Sequence, residues 1–378
     1  MKLIVSKAVI EGAAKMLSKV INKKNPLPIL GDILCDVKDN QMRMTASDSE
    51  VIMSMSIKLD TQEGDGSFCV SADLLRNALS QLPEQPVTII VTTDGDMKFT
   101  LQHQSGSAFF PLDDADTYPL PMDEKYNDAI DAMKGQWLID ALKRCLWAAA
   151  DDELRPIMCG VCFSLSDGNL DIVASDGHAL AKSRYSVIAQ VNQACEASFI
   201  IPKKVAKILS DVTTTDAKIE WNDCWAHVNV GLCDVTFRLI EGKYPNYNSV
   251  IPEDQPLCAI VPRAFIMNSI RKVIPFALDN CGSKLLRMSF EKDKLTLEGQ
   301  NLDFQMGAHD TMTIDYPYKP IEIGVNGSTL ITIMSKLIGR DVCVNMSDET
   351  RAITIEPSEQ YDDSEVTMLI MPMLLSNE

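Results

Sequence analysis

The sequence predicts an α+β protein in which one domain, two helices packed on antiparallel strands, is written three times. Three observations carry this. A helix, strand, polar turn, strand unit fills 134–185, with Leu165-Ser166-Asp167-Gly168-Asn169-Leu170 leading to Val173-Ala174-Ser175-Asp176-Gly177-His178. It has a counterpart near the N-terminus, where Val37-Lys38-Asp39-Asn40-Gln41-Met42 leads into Thr45-Ala46-Ser47-Asp48, and another in Phe290-Glu291-Lys292-Asp293-Lys294-Leu295 before Glu298-Gly299-Gln300-Asn301. The spacing is regular: 128 residues from Asp48 to Asp176 and 125 from Asp176 to Asn301, in a chain of 378.

The first copy opens with a helix over 6–24, on which Val9, Ala13, Met16, Leu17 and Val20 form an apolar stripe, while Glu11, Lys15, Lys19 and Lys23 step along a basic outer ridge. Asn25-Pro26-Leu27-Pro28 stops it, because proline lacks the N–H and restricts its predecessor. Strands then surround the Asp39-Asn40 turn over 29–59, and a second half-unit follows with a helix over 72–82 and strands over 87–92 and 98–102. In the middle copy Leu138, Ala141, Leu142, Cys145, Leu146 and Ala149 make the first helical stripe, with Lys134, Lys143 and Arg144 off it. Its second helix sets Lys203, Lys204 and Lys207 against Val205, Ile208 and Leu209. Tyr244-Pro245 closes this copy 126 residues after Tyr118-Pro119. The third copy opens at Val261-Pro262-Arg263, its stripe running from Ile266 to Leu278, and Pro275 should shorten or kink that helix. A last helix over 328–338 precedes strands over 342–346, 352–356 and 366–371. Pro-rich, acidic connections near 119–128 and 250–256 divide the chain into 1–124, 125–252 and 253–378.

Composition is that of an ordinary globular protein, 46% hydrophobic and 6% aromatic. No apolar run reaches the roughly 18 residues a membrane span needs, and Met1 to Val9 is too short for a secretory signal, so a cytoplasmic protein is expected. The eleven cysteines are scattered through apolar segments and read as reduced and buried. Cys159 and Cys162, three apart on a strand, would face opposite sides of the sheet and do not suit a metal. The net charge of −18 speaks against nucleic acid, yet the predicted helical segments taken together are net positive, and the acid sits in strands and loops.

Asp176-Gly177-His178 is the one stretch that invites catalysis. No G-x-S-x-G, P-loop, G-x-G-x-x-G or H-E-x-x-H accompanies it, and the four histidines are far apart in sequence. Asp48, Asp176 and Asn301 occupy equivalent repeat positions, which points to turn chemistry at a strand end. At the C-terminus, Met368 to Leu375 reads as a core strand followed by an adaptable methionine-rich edge.

The chain resembles the bacterial DNA polymerase III beta sliding clamp family over essentially its whole length. The resemblance is carried by Pro28-Ile29-Leu30-Gly31, Arg155-Pro156-Ile157-Met158 with Gly160, Ala174 to Ala181, Phe199 to Lys203, Gly242 to Tyr247 with Val250-Ile251-Pro252, and Met371-Pro372-Met373. It implies three tandem DNA-clamp domains that close as a ring in a head-to-tail homodimer, with helices lining a hole for double-stranded DNA. Such a protein is no enzyme and needs neither cofactor nor metal. It confers processivity by tethering the polymerase III catalytic subunit, is opened by an ATP-driven clamp loader, and docks other polymerases and repair proteins. Sequence-blind contact falls to cations on phosphates. Lys15, Lys19, Lys143, Lys203, Lys207 and Arg271 are candidates from the helix faces, and the family pattern adds Lys24 and the neighbourhood of Asp152. The partner-peptide pocket that the resemblance implies comprises Met158, Ser175, Gly177, His178, Leu180, Pro245, Val250, Leu369, Met371, Pro372 and Met373. The implied dimer contact brings Phe109 against Ala277 and Leu278. Ala179 stands where the family often has Arg, Ser283 where it often has a large side chain, and 374–378 extend past the usual end. A repair scaffold built on the same fold, and an enzyme using Asp176 and His178, stay open as alternatives.

Overall fold

The computed structural model describes residues 1–92, 97–120, 125–152, 154–186, 196–212, 216–277, 284–301, 304–360 and 364–375. They group into two compact units: one principally Met1–Ile139 and Ile208–Leu239, the other Asp140–Ala189, Ala194–Lys207 and Ile240–Glu378. The middle sequence copy therefore contributes to both.

The first unit holds a five-stranded antiparallel sheet in the order Thr61–Glu63, Lys2–Ser6, Pro86–Thr92, Lys98–His103, Gly106–Pro111. Its second sheet has eight strands, in the order Asp128–Lys134, Asp216–Trp221, Trp225–Val230, Cys233–Arg238, Val51–Lys58, Gln41–Ser47, Asp32–Lys38, Gly66–Ser71. The join at its centre was not expected from the repeat: Val51–Lys58 pairs with Cys233–Arg238, with Met53 opposite Val235. The second unit repeats this device. Its eight-stranded sheet joins Ala179–Ser186 to Ser364–Ile370, with Ser183 opposite Val366. A four-stranded sheet runs Met306–Thr313, Lys294–Asn301, Leu285–Glu291, Ile321–Asn326. Each long sheet thus joins two successive copies.

The hairpins obey the turn chemistry. Asp39 and Asn40 both have positive φ (53° and 57°), as do Asp167 and Gly168 (48° and 71°), the geometry whose twist matches two adjoining strands.

Six helices are described: α1 Lys7–Leu17, α2 Ala72–Ser80, α3 Gly135–Cys145, α4 Lys203–Ser210, α5 Arg263–Val273 and α6 Gly327–Lys336. Helix α1 is shorter than the expected 6–24. The Ser18 hydroxyl donates back to the Ala14 carbonyl at 2.6 Å, and the amides of Lys19 and Val20 reach only three residues back, so the chain tightens and leaves the helix. Lys19 and Lys23 consequently lie beyond it. Its buried face is Ile10, Ala13, Ala14 and Leu17, while Val9, placed on the apolar stripe, is half exposed. In α3 the expected Leu138, Ala141, Leu142 and Cys145 are buried, but so is Arg144, whose Nη1 donates to the Tyr185 hydroxyl at 3.3 Å. Helix α5 stops at Val273, and Pro275 sits in the single 3-10 turn Ile274–Phe276, as the proline requires. Helix α6 is capped by Asn326, whose Oδ1 accepts from the amides of Ser328 and Thr329. No helix among the described residues is long and apolar enough to cross a membrane.

Candidate peptide-docking site and basic helices

Asp176 is bonded to backbone on both sides of its turn. Its Oδ1 accepts from the amides of His178 and Ala179, both at 2.7 Å, and its own amide donates to the Ala179 carbonyl at 3.3 Å. Asp48 Oδ1 does the same for Glu50 and Val51, Asn222 for Cys224 and Trp225, Asp348 for Thr350 and Arg351, and Asn301 for Phe304. One short polar side chain therefore closes the same turn, between the third and fourth strands of the first half-unit, in all three copies, which is the shared role expected of Asp48, Asp176 and Asn301, and Asn222 and Asp348 do so one hairpin earlier in the second half-units of the middle and third copies.

The Asp176 turn builds one wall of a site at the join of the second unit's long sheet. Gly177 has φ +91°, a conformation that favours glycine, and a side chain there would come within 3.4 Å of the Arg155 guanidinium and 3.9 Å of Met158. Arg155 spans the neighbouring turn: Nε donates to Asp152 at 3.0 Å and Nη1 to the Asp176 carbonyl at 3.3 Å, with the Met158 sulfur 4.0 Å away. The Leu154 amide, and then Arg155, hold the Asp152 carboxyl below the usual carboxylate range. His178 is exposed, and its carbonyl accepts from the Met371 amide at 2.8 Å, which ties the C-terminal segment to this wall. Ser175 is half-buried, its amide donating to the Tyr244 hydroxyl at 2.9 Å and its own hydroxyl to the Ala179 carbonyl at 2.8 Å.

Leu180 and Leu369 are buried in a cluster with Val173 and Ala352, packed by Tyr247 and Ile251. They form a floor beneath the surface rather than an exposed lining. Pro245 and Val250 are exposed on the opposite wall, Val250 at the end of the 3-10 turn Tyr247–Val250. Met371 is exposed, and Pro372 and Met373 half-buried. The Met373 amide donates to the Gly324 carbonyl at 2.7 Å, so the tail pairs with the outer strand Ile321–Asn326 and covers its edge. A cleft of about 410 Å³ opens where Pro372 to Leu375 face Gly324, Glu322 and Glu349. Arg155, Tyr247 and Gly324 were not among the expected pocket residues. A glycine inside a strand pattern was the available signal for Gly324.

The candidate cations divide. Lys15, Lys143 and Arg271 occupy the same position of the first helix in each copy, are exposed, and have no ion-pair partner among the described residues. Lys24 is likewise exposed in the turn after α1. Lys207 is exposed on α4. Lys19 instead pairs with Asp211 at 2.7 Å, and Lys203 with Asp151 at 2.6 Å and the Ala149 carbonyl at 3.0 Å. Each of these two is partly neutralised within the chain.

Phe109 lies on the edge strand Gly106–Pro111 and is 68% exposed, with the Lys98 ammonium 3.9 Å over its ring. Ala277, expected at the dimer contact, is 2% exposed and lies beside Val273 and Gly299, while its neighbour Phe276 is the exposed apolar residue. Leu278, Ser283 and 376–378 lie outside the described residues. No group of three or more His, Cys, Asp or Glu among the described residues could hold a metal ion.

Comparison with known proteins covers nearly the whole chain. Residues 1–121, 132–246 and 248–374 match, in turn, the N-terminal, central and C-terminal domains of the DNA polymerase III beta subunit. The chain is 26% identical to a beta sliding clamp of Vibrio cholerae, over 99% of this chain and all of that one, and 23% identical to one from Synechocystis, again over the full length of both. Among solved structures it is similar to a sliding clamp from Pseudomonas aeruginosa bound to griselimycin (TM-score 0.89, 20% identity, 99% of this chain and 100% of that chain). A sliding clamp from Bartonella birtlesii, also bound to griselimycin, superposes equally well (TM-score 0.89, 22% identity, the same coverage).

Proposed function

This chain belongs to the bacterial DNA polymerase III beta subunit family, and we propose that it works as a sliding clamp that encircles duplex DNA and tethers the replicative polymerase. The observation that carries this is the order of the three domain matches, which follow one another along the chain with the family's own sequence of N-terminal, central and C-terminal parts. The domains run over 1–124, 125–252 and 253–378 in this reading.

Two features of the chain support the mechanism. Lys15, Lys143 and Arg271 recur at one helical position, exposed and uncommitted, as phosphate contacts that hold DNA without reading its sequence should be. Acid in the strands and loops disfavours DNA elsewhere on the surface. Ring closure uses two protomers head to tail, joined through the unpaired sheet edges Gly106–Pro111, carrying Phe109, and Met306–Thr313, beside exposed Phe304 and Phe276. The groove between the Asp176 turn, the 245–250 segment and the C-terminal tail accepts short apolar peptides of the polymerase catalytic subunit, the clamp loader, and other polymerases and repair proteins. His178 is a wall of that groove, and Asp176 holds the wall's backbone. The protein works in the cytoplasm, on the replicating chromosome.

The test is topological. Loaded by its clamp loader onto closed circular DNA, the protein should stay bound through gel filtration and run off once the circle is cut. Equal retention on circular and linear DNA would sink the reading. His178→Ala should weaken peptide capture and leave loading on DNA intact.

A further inference from the structure

A buried charge cluster lies beneath one wall of the docking groove, and neither encirclement nor apolar contact calls for it. Asp171, on the strand Asn169–Ser175, keeps 3% of its side chain accessible. Its oxygens receive a fork from Arg184, directly opposite in the sheet, at 2.7 Å from Nε and 3.0 Å from Nη2. The Tyr247 hydroxyl donates to Asp171 Oδ2 at 2.9 Å. The Lys182 ammonium lies 3.4 Å from that same oxygen, 5.5 Å over the Tyr247 ring, and donates to Asn248 Oδ1 at 3.3 Å.

Burial pushes the Asp171 carboxyl up, but the Arg184 fork, Lys182 and the Tyr247 hydroxyl outweigh it and hold the group below its ordinary range. Burial, and after it the Asp171 charge, pushes the Tyr247 hydroxyl up to about 12, so it keeps its proton for donation. A buried ion pair contributes little net stability compared with apolar side chains of similar volume, whereas its hydrogen bonds have direction. That direction acts on one segment: Tyr247 and Asn248 begin the turn that ends in the wall residue Val250, and the Tyr247 ring packs at the same time on the floor formed with Leu180 and Leu369.

Given the docking reading above, we infer that Asp171 is a positioning residue of the peptide site. Through Tyr247 and Lys182 it holds the turn 247–250 at a set distance from the floor. An apolar peptide then meets a preformed groove and loses less free energy ordering its wall.

The experiment uses the intact homodimer and a fluorescent peptide carrying the hydrophobic clamp-binding motif of the polymerase III catalytic subunit, read by anisotropy. Tyr247→Phe, which removes one hydroxyl and keeps the ring, should weaken binding by about tenfold. Asp171→Asn should weaken it at least as much, and the double variant no more than the worse single one, because both act through one linkage. The affinity lost on Val250→Ala should shrink in the Tyr247→Phe background, while that lost on Met371→Ala, on the other wall, should not change. Wild-type affinity in Tyr247→Phe, additive losses, or an equal shrinkage at Val250 and Met371 would each overturn the assignment, the last by showing general loosening. Absence of peptide binding to the wild-type protein would instead overturn the docking reading, and this assignment with it.

Discussion

Replacing Gly324 by alanine probes how the C-terminal wall of the proposed groove is held. Gly324 lies in the outer strand Ile321–Asn326, paired with Arg287 on one side and bridged to Met373 on the other. A Cβ there would sit 2.5 Å from the Met373 carbonyl oxygen, 2.9 Å from Leu375 Cδ2 and 3.0 Å from Leu285 Cδ1. The two leucine ends can turn away. The Met373 carbonyl is backbone and can retreat only by breaking the 2.7 Å bond from the Met373 amide to Gly324. Overpacking of this kind costs about 1–3 kcal/mol if nothing yields, and losing one backbone hydrogen bond about 1 kcal/mol. The tail is the softer element, so it should lift off at the lower cost and take Pro372 and Met373 out of the wall. Peptide affinity should then fall roughly 5- to 30-fold, corresponding to about 1–2 kcal/mol, with a global unfolding midpoint lowered by only a few degrees. Anisotropy titration and thermal unfolding of the same preparation measure both. In a chain truncated after Met371 the substitution should have almost no effect. Unchanged peptide affinity in the full-length variant, or an equal penalty in the truncated one, would show that the bare glycine edge is not what seats the tail.

Other outcomes follow from single sites. Burial, and then the Asp113 carboxyl hydrogen-bonded to it, pushes Asp32 up to about 7. A folded-state value above the unfolded one means that Asp32 stabilises most in acid and that its contribution is lost as pH rises from about 4 to about 7; Asp32→Asn should flatten the fall in melting temperature between pH 5 and pH 8. Removing the uncommitted cations Lys15, Lys143 and Arg271 should lower the log–log salt slope of DNA affinity by about 0.9 for each phosphate left without its cation, whereas Lys203→Ala, which frees Asp151, should lower it less than Lys143→Ala. Gly160→Ala puts a Cβ 2.6 Å from both Ile200 Cγ2 and the Ile201 carbonyl. The carbonyl cannot rotate away, so denaturant unfolding should show a loss of about 2 kcal/mol or more.

Much of the molecule was legible in its residues. The helical stripes Leu138, Ala141, Leu142 and Ile266, Ile270, Val273 are buried as their periodicity requires, because which face of a helix packs is settled by a pattern a few residues long. The turn role of Asp48, Asp176 and Asn301 came from repeat position alone, since an Asp or Asn side chain closes a turn with its own neighbours. Pro275 ended α5 for reasons internal to the peptide bond.

Other features depend on residues far apart in the chain, and only the tertiary structure decided them. Whether Lys19 is a free cation depends on Asp211, 192 residues away. The Asp171 cluster needs Tyr247 brought under its strand, and the tail needs Gly324 bare at a sheet edge. Ala277 reads as one more residue of an apolar stripe, and only its packing on Gly299 removes it from the surface. Above all, nothing local says that Val51–Lys58 should pair with Cys233–Arg238, or Ala179–Ser186 with Ser364–Ile370. A strand's own alternation fixes which face it buries, but its neighbour is chosen by whichever free edge the rest of the fold presents, and that choice sets the proposed docking groove at a join between two copies.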